Sequence, residues 1–424
     1  MKYDYIIVGS GIAGLYSAYQ LKKRGHSVLV LEKNTDPGGR MRSKKIHEDY
    51  ENIGASFITT SYKHLLALAK DLNLTFTVDE GAAHNVAIID ERNGVNQISG
   101  NIFQILNFNK VPFSQKLKFV LMFPMFAFEA FRFTVPDYKR LSRFDDESIR
   151  TYISRVIGKE FSRYFLEPAV HNLFSYHSES FSKAMAVGTL KHLITGRKYF
   201  NFKKGLEELP LKIAEVVETR FSVEVEKISR NPVGVTVKSK DGREYEASQV
   251  IVAVPGNKVL NIIDKPTIEE TEFFASVKYS SHIKVFCETN NDLIRNFDRL
   301  VFIGESHIAS TNVTHRHPEY VKFSFGIPNK PAKELIAQNK LSNEDLEKFI
   351  KESLQLEIPF KVTKPIIWDS ALPMFYTGYI KKAYEFKQRN HKENQIIYVG
   401  DYLSGPFLEG AILSSVEVFE FDDF

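Results

Sequence analysis

Residues 3–32 read YDYIIVGSGIAGLYSAYQLKKRGHSVLVLE, and their order decides the fold. Tyr5, Ile6, Ile7 and Val8 form a short apolar run. The glycines that follow lead into a helical pattern with Leu15, Ala18, Tyr19 and Leu21 on one side. A second apolar run, Val28 to Leu31, follows the break at Arg24-Gly25-His26. Strand, turn, helix and strand within about thirty residues is the opening unit of a doubly wound parallel sheet. Gly9-Ser10-Gly11-Ile12-Ala13-Gly14 occupies the first strand-to-helix turn. Glycines there permit a tight turn, close approach of backbone to a pyrophosphate, and close helix packing, with phosphate charge facing the positive helix end. Such turns also occur without any ligand. Glu32, at the end of the second strand, changes the reading: a carboxylate there accepts both ribose hydroxyls of an adenine dinucleotide and repels a 2′-phosphate.

Farther along, the texture of the chain changes. From Phe103 to Ile194 it is helical and aromatic, which reads as an inserted helical domain. Strand-like alternation resumes at Val223-Glu224-Val225, continues through Val235-Thr236-Val237, turns at Asp241-Gly242 and ends in the apolar run Val250 to Val254. Those strands return to the first domain. A mixed segment, Val277 to Trp368, carries strands at Ile283 to Cys287 and Val321 to Phe325 and a helix around Asp345 to Leu354. The run Ile396 to Val399 and a helix over Gly410 to Val416 close the chain. The expected class is α/β. A doubly wound, Rossmann-like domain comes from residues 1–80, 200–265 and 390–424, and a helical and mixed α+β substrate domain from 81–199 and 266–389.

The 424 residues are 43% hydrophobic and 25% charged, which suits a packed globular protein and excludes disordered, collagen-like and disulfide-scaffold chains. Lys plus Arg at 56 against Asp plus Glu at 52 leaves +4, too small and too dispersed for a nucleic-acid partner. Cys287 is the single cysteine, so an intrachain disulfide and a thiolate-rich metal cluster are both ruled out, and a reducing compartment is expected. His315-Arg316-His317 lacks a third ligand at usable spacing, so no metal is expected. The N-terminal stretch does not read as an export signal. No apolar run reaches the roughly 20 residues of a spanning helix; the densest, Phe119 to Phe128, is broken by Pro124. A cytoplasmic location is expected, with membrane association as the alternative.

Beyond the first unit, Pro37-Gly38-Gly39-Arg40-Met41-Arg42-Ser43 offers a tight backbone path and, at Arg40, a fork for phosphate oxygens. A solvated basic loop is the alternative. Near the other end, Tyr398-Val399-Gly400-Asp401 is followed by Leu408-Glu409-Gly410-Ala411. Together with Gly9 to Gly14 and Glu32, these stretches resemble the flavin-dependent amine oxidase superfamily, which also holds protoporphyrinogen oxidases and phytoene desaturases. The resemblance spans the chain: Gly54-Ala55 is similar to the family's flavin-side loop, Lys204 to Pro210 to its mid-chain turn, and Val225-x-x-Ile228 to its adenine-side strand. Two positions depart from the pattern. Lys204 stands where the family often has the first of two glycines, and Ser415 where it often has glycine.

The resemblance implies FAD, held non-covalently because Cys287 lies far from the C-terminal place where some relatives attach flavin. It implies that Gly9, Gly11, Ile12, Ala13, Gly14, Glu32 and Lys33 contact the cofactor, as do Gly39, Arg40, Gly54, Ala55 and Val225. Gly400, Asp401, Gly410 and Ala411 complete the set, with Asp401 at the ribityl or pyrophosphate region. The flavin itself accepts the hydride, so few acid or base residues are required. His282-Ile283-Lys284-Val285-Phe286 resembles the strand bearing the active-site lysine of amine oxidases, which implies that Lys284 holds a water near flavin N5. A solvent-facing lysine is the alternative, since burying a bare ammonium is expensive. Phe407 matches one wall of the family's aromatic cage, and Tyr376 or Tyr379 is the candidate for another. Aromatic faces attract an amine; core packing is the alternative role.

The helical segment points to a greasier substrate. Phe113, Phe119, Phe123, Phe126, Phe128, Phe131 and Phe133 stand among Lys116, Lys118 and Arg132. Asp145-Asp146-Glu147-Ser148 and Phe165-Leu166-Glu167-Pro168 resemble the helical domains of protoporphyrinogen oxidases and desaturases. Residues 113–134 then line a tunnel, rest on anionic lipid, or form core. The expected activity is oxidation of an amine C–N bond by hydride transfer to flavin N5, with oxygen as electron acceptor. Oxidation of C–C bonds in a porphyrinogen or isoprenoid is the alternative, and a non-catalytic flavin-binding protein is the alternative of another class. The expected partner is a small molecule, amine or apolar; the sequence leaves oligomeric state open.

Overall fold

A computed structural model describes residues 2–78, 86–90, 94–97, 108–132, 137–196, 198–297, 299–303, 307–308, 310–354 and 358–420. The strand Lys2–Val8 lies in the middle of the first sheet, and its residues Ile6, Ile7 and Val8 are buried, as an apolar run covered on both faces requires. It pairs in parallel with Val28–Leu31 on one side, where Tyr5 faces Val28 and Val8 faces Leu31. Glu244–Val252 pairs with it on the other side, also in parallel. Thr219–Arg220 extends the sheet beyond Val28–Leu31. The long strand Glu244–Val252 has two partners on its far side. Its first half pairs antiparallel with Gly234–Ser239, which pairs in turn with Val225–Asn231, and its second half pairs in parallel with Ile396–Tyr398. Strands from three separated stretches therefore share one sheet. The helices Ile12–Lys23 and Leu408–Phe419 pack on each other over it.

The second sheet runs in the order Lys361–Pro373, Tyr279–Thr289, Val321–Ile327, Ser310–Arg316, Arg299–Ile303, Val86–Asp90, Gly94–Gln97. Every residue of Val321–Ile327 is buried, because helices Asn329–Ala337 and Asn343–Ser353 contribute Leu335, Leu346 and Ile350 to the same core. Helices dominate the described residues between 113 and 195. Ser148 caps Ile149–Val156 by accepting from the Thr151 amide at 3.1 Å, and Pro168 stands in the first turn of Glu167–Phe174.

The aromatic stretch forms one helix with Pro124 inside it. Phe113–Arg132 continues through it as one 20-residue helix. Pro124 lies on an exposed face, where the ring and the missing amide disturb no packed neighbour. The phenylalanines divide between two faces. Phe119 stacks on Phe161 at 4.6 Å and Phe126 meets Tyr152, whereas Phe113, Phe123, Phe128 and Phe131 face outward. Phe103 and Phe133 lie outside the described residues. Among the described residues, no helix is long and apolar enough to cross a membrane.

Candidate active site

A cavity of about 1610 Å³ opens along the ends of the parallel strands and continues between the two sheets. A pocket for one drug-sized ligand occupies about 300–1,000 Å³, so this one has room for an extended dinucleotide and a second molecule. At one end the wall is the first strand-to-helix turn. Gly9 has φ +103°, and a Cβ there would come 2.9 Å from the Ala253 carbonyl oxygen, so only glycine fits without strain. A Cβ on Gly14 would come 2.3 Å from the Gly9 carbonyl oxygen, which makes Gly14 a packing residue behind the wall. Gly11 is different: a Cβ there would meet nothing within 4 Å, because it faces the cavity. The turn thus presents bare backbone to an open space at a helix N-terminus, which fits a pyrophosphate.

Glu32 is buried at 4% exposure and lines the cavity. Its carboxylate accepts from the Ser10 amide at 2.9 Å and the Ser10 hydroxyl at 2.7 Å, and from the Asn34 amide at 2.9 Å. It therefore fastens the glycine turn as well as facing the space beside it. Ile12, Ala13, Lys33 and Val225 stand on the same part of the wall.

Midway, Gly39, Arg40, Gly54, Ala55, Gly400 and Asp401 converge. A Cβ on Gly54 would lie 2.0 Å from the Arg40 carbonyl oxygen, and that closeness lets the Ala55 amide bond the same oxygen at 2.9 Å. The Arg40 fork grips the Asp401 carboxylate at 2.7 and 2.9 Å and donates to the Ala371 carbonyl at 2.8 Å. Its guanidinium also lies over the Tyr279 ring. Burial alone would lower the Arg40 pKa, but the Asp401 charge prevails and raises it. In this structure the fork is engaged by a carboxylate. Gly410 lies behind the wall, where a Cβ would approach the Gly405 carbonyl oxygen at 2.3 Å, and Ala411 lines it. The departure at Ser415 is matched from the facing helix: its hydroxyl lies 2.8 Å from that of Ser17. At the other departure, the Lys204 amide bonds the Glu208 carboxylate.

At the far end, Lys284 turns its side chain into the cavity and donates to the Asn52 carbonyl at 2.7 Å. Burial pushes its pKa down to about 8, against the pull of the Glu51 charge. Beside it, His282 is held by Ser175 at 2.9 Å. Burial, with Lys284 and His171 nearby, pushes it down to about 4, so it is neutral at pH 7. Phe407 lines the same region and stacks on Tyr62, with planes 18° apart.

Tyr376 and Tyr379 are not on this wall. The chain leaves Lys361–Pro373 and turns into the interior. There Tyr376 donates to the Ser276 carbonyl at 2.8 Å and Tyr379 to the Tyr402 carbonyl at 2.9 Å. Tyr62 and His192 flank Phe407 instead. No motif marks those two in the sequence; packing of distant segments brings them together.

The paired histidines of the second sheet meet carboxylates. His315 approaches Glu51 at 3.1 Å, while His317 and Lys322 hold Asp49 at 3.0 and 2.6 Å. Elsewhere, Glu167, His171 and His177 bring their ligand-type atoms within 4.8 Å of one another. There Glu167 already accepts from His177 at 2.6 Å and from the Ser178 amide at 3.1 Å.

Known proteins extend these findings. The family model described as flavin containing amine oxidoreductase matches residues 12–418. AofH of Mycobacterium tuberculosis, assigned by name to the flavin-containing monoamine oxidases, is 27% identical over 291 residues, covering 64% of this chain and 61% of that protein. The L-amino acid oxidase bordonein-L of Crotalus durissus terrificus is 26% identical over 306 residues, covering 66% and 57%. The chain thus spans about three fifths of the length of the curated relatives it matches. Wild-type putrescine oxidase solved with putrescine superposes with a TM-score of 0.78 at 18% identity, covering 98% of this chain and 97% of that one. A likeness at that identity shows the fold.

Proposed function

We propose, from the premise that the chain belongs to the flavin containing amine oxidoreductase family, that it binds FAD non-covalently and oxidises the C–N bond of an amine, with oxygen as electron acceptor. The observation that carries this reading is Lys284, whose side chain faces the cavity with a pKa brought down to about 8. Strongly perturbed groups in clefts mark functional sites more often than structural ones. The nucleotide-binding domain then comprises residues 1–80, 200–265 and 390–424, and the substrate domain 81–199 and 266–389.

The chemistry that FAD supplies when bound is acceptance of a hydride from carbon. The chain's own residues bind, orient and exclude water. The Gly9 to Gly14 turn and Glu32 hold the dinucleotide, and Arg40 with Asp401 frames its middle. Lys284 holds a water or a proton at Nζ, and the Phe407 and Tyr62 faces receive an amine. Cys287 is buried in the second sheet and off the cavity wall, which supports attachment without a thioether. Anaerobic bleaching of the flavin by an amine tests the reading. A flavin that no amine or apolar substrate reduces would leave the chain a flavin-binding scaffold.

Glu32→Ala should weaken FAD binding by about 1–3 kcal/mol, because charge-assisted hydrogen bonds to the ribose are lost together with the anchor of Ser10 and Asn34. Titration of FAD into flavin-free protein reads this directly. An unchanged Kd would remove Glu32 from the site.

A second reading, an apolar substrate taken up at a membrane surface, is favoured by one observation. Phe113, Leu121 and Phe128 are 73, 70 and 62% exposed on one helix, and Lys118 and Arg132 are exposed beside them. Apolar burial plus roughly 1 kcal/mol per nearby basic residue favours anionic lipid. The protein should float with anionic liposomes at low salt, and replacing those three residues by serine should abolish flotation while FAD stays bound. If the wild type does not float, the exposed face is not a lipid contact and this reading loses its support.

A further inference from the structure

Helix Glu167–Phe174 carries Glu167 and His171 four residues apart, a spacing that puts both side chains on one face. His177, in the turn after the helix, closes on the same face: its ring stacks on that of His171 with centroids 4.7 Å apart. One ligand-type atom from each of the three lies within 4.8 Å of the other two. Glu167 is oriented from behind. Its Oε2 accepts from the Ser178 amide at 3.1 Å and from the Ser178 hydroxyl, which leaves Oε1 to meet His177 Nδ1 at 2.6 Å. That pairing leaves His171 over. It is 8% exposed, and among the described residues its ring makes no hydrogen bond. A buried polar group without a partner is costly, and this one stands against a carboxylate and a second imidazole. The group is open to solvent on one side, because the His177 side chain is 56% exposed.

We propose that Glu167, His171 and His177 form a structural site for one Zn²⁺ ion outside the cavity. Two imidazoles and a carboxylate are the donor set of a borderline cation, whereas Mg²⁺ and Ca²⁺ take oxygen. Bonds of about 2.0–2.1 Å in a tetrahedron set ligand atoms about 3.3 Å apart, so the three side chains close on the ion by small rotations. The ion takes the place of the hydrogen between Glu167 Oε1 and His177 Nδ1, and the fourth position is left to water. Ser178 is the outer partner that keeps the carboxylate aimed. The three ligands are not on the cavity wall, but Asn172 to Ser175 at the end of the same helix are, and Ser175 holds His282 there at 2.9 Å. The ion therefore ties one piece of that wall to the turn at Ser178, without touching a substrate held inside.

The test uses the FAD-loaded protein, stripped with EDTA and titrated with zinc chloride by calorimetry, then melted with and without the ion. Wild type should take up one Zn²⁺ per chain with a Kd of about 10 µM or tighter, and should melt at a higher temperature with it. Magnesium chloride should do neither. His177→Ala and Glu167→Gln should weaken zinc binding at least about tenfold and lose the shift in melting. His177 is exposed, so its replacement keeps the fold and the FAD content and carries the test even where Glu167→Gln does not fold. His317→Gln, which alters the histidine and carboxylate group of the second sheet, should bind as wild type does. A wild type that binds no Zn²⁺ below about 100 µM, or His177→Ala binding as tightly as wild type, overturns the proposal. Loss of the site in His317→Gln also overturns it, since the ion would then lie on the second sheet.

Discussion

Arg40→Ala is expected to lower the stability of the flavin-free protein by about 3–5 kcal/mol, the cost of stranding one member of a buried ion pair. Asp401 has a side chain only 7% exposed, and the Arg40 fork satisfies both of its oxygens. The remaining contact, from the Tyr279 hydroxyl, is long at 3.4 Å. Without the guanidinium, a carboxylate would face Tyr279 and the cavity with no counter-charge. The joint variant Arg40→Met, Asp401→Leu should recover most of the loss, because it removes both charges and keeps the volume. Urea unfolding of wild type, Arg40→Met, Asp401→Leu and the joint variant completes a double-mutant cycle. A loss below about 1 kcal/mol for Arg40→Ala would mean that water in the cavity screens Asp401, as at a surface bridge. The pair also ties the loop after the second strand to the turn before the last helix. FAD retention should therefore fall in both single variants.

That pair shows what the sequence can and cannot carry. Arg40 and Asp401 each sit in a legible local motif, so each reads as a cofactor contact. Their mutual grip spans 361 positions, and only the folded chain shows it. The glycine turn and Glu32 were readable because backbone geometry within a few residues dictates them: Gly9 needs positive φ, and a strand end puts Glu32 beside the Ser10 amide. The aromatic wall was half readable. Phe407 lies in the C-terminal motif, but its neighbours Tyr62 and His192 come from helix ends hundreds of positions away. Tyr376 and Tyr379 lie off the cavity wall because nearness in sequence to Trp368 does not survive the chain's turn into the core. Trp368 itself faces inward to the site, donating to the Ile53 carbonyl at 2.8 Å. Composition misled at the aromatic helix, where phenylalanine content is uniform along the sequence while burial alternates with helical phase.

Lys284→Met is expected to slow anaerobic flavin reduction, or the subsequent reoxidation, by at least tenfold, above ~1.4 kcal/mol in the barrier. Methionine keeps the length and apolar bulk of the side chain, so FAD content should not change. Wild type should show an ionisation near pH 8 in its rate profile that the variant lacks, since burial holds Lys284 at about 8. The same shift fixes the sign of a stability test in flavin-free protein. The folded pKa lies below the unfolded one, so between about pH 8 and 10.5 the unfolded chain binds more protons and stability rises with pH. Relative to Lys284→Met, wild type should gain stability across that window and show a flat difference below it. The two readouts separate position from chemistry. If the stability difference appears while both rates stay at wild-type level, Lys284 is a desolvated wall residue with no part in the reaction. The amine reading would then rest on the aromatic wall of Tyr62 and Phe407 alone.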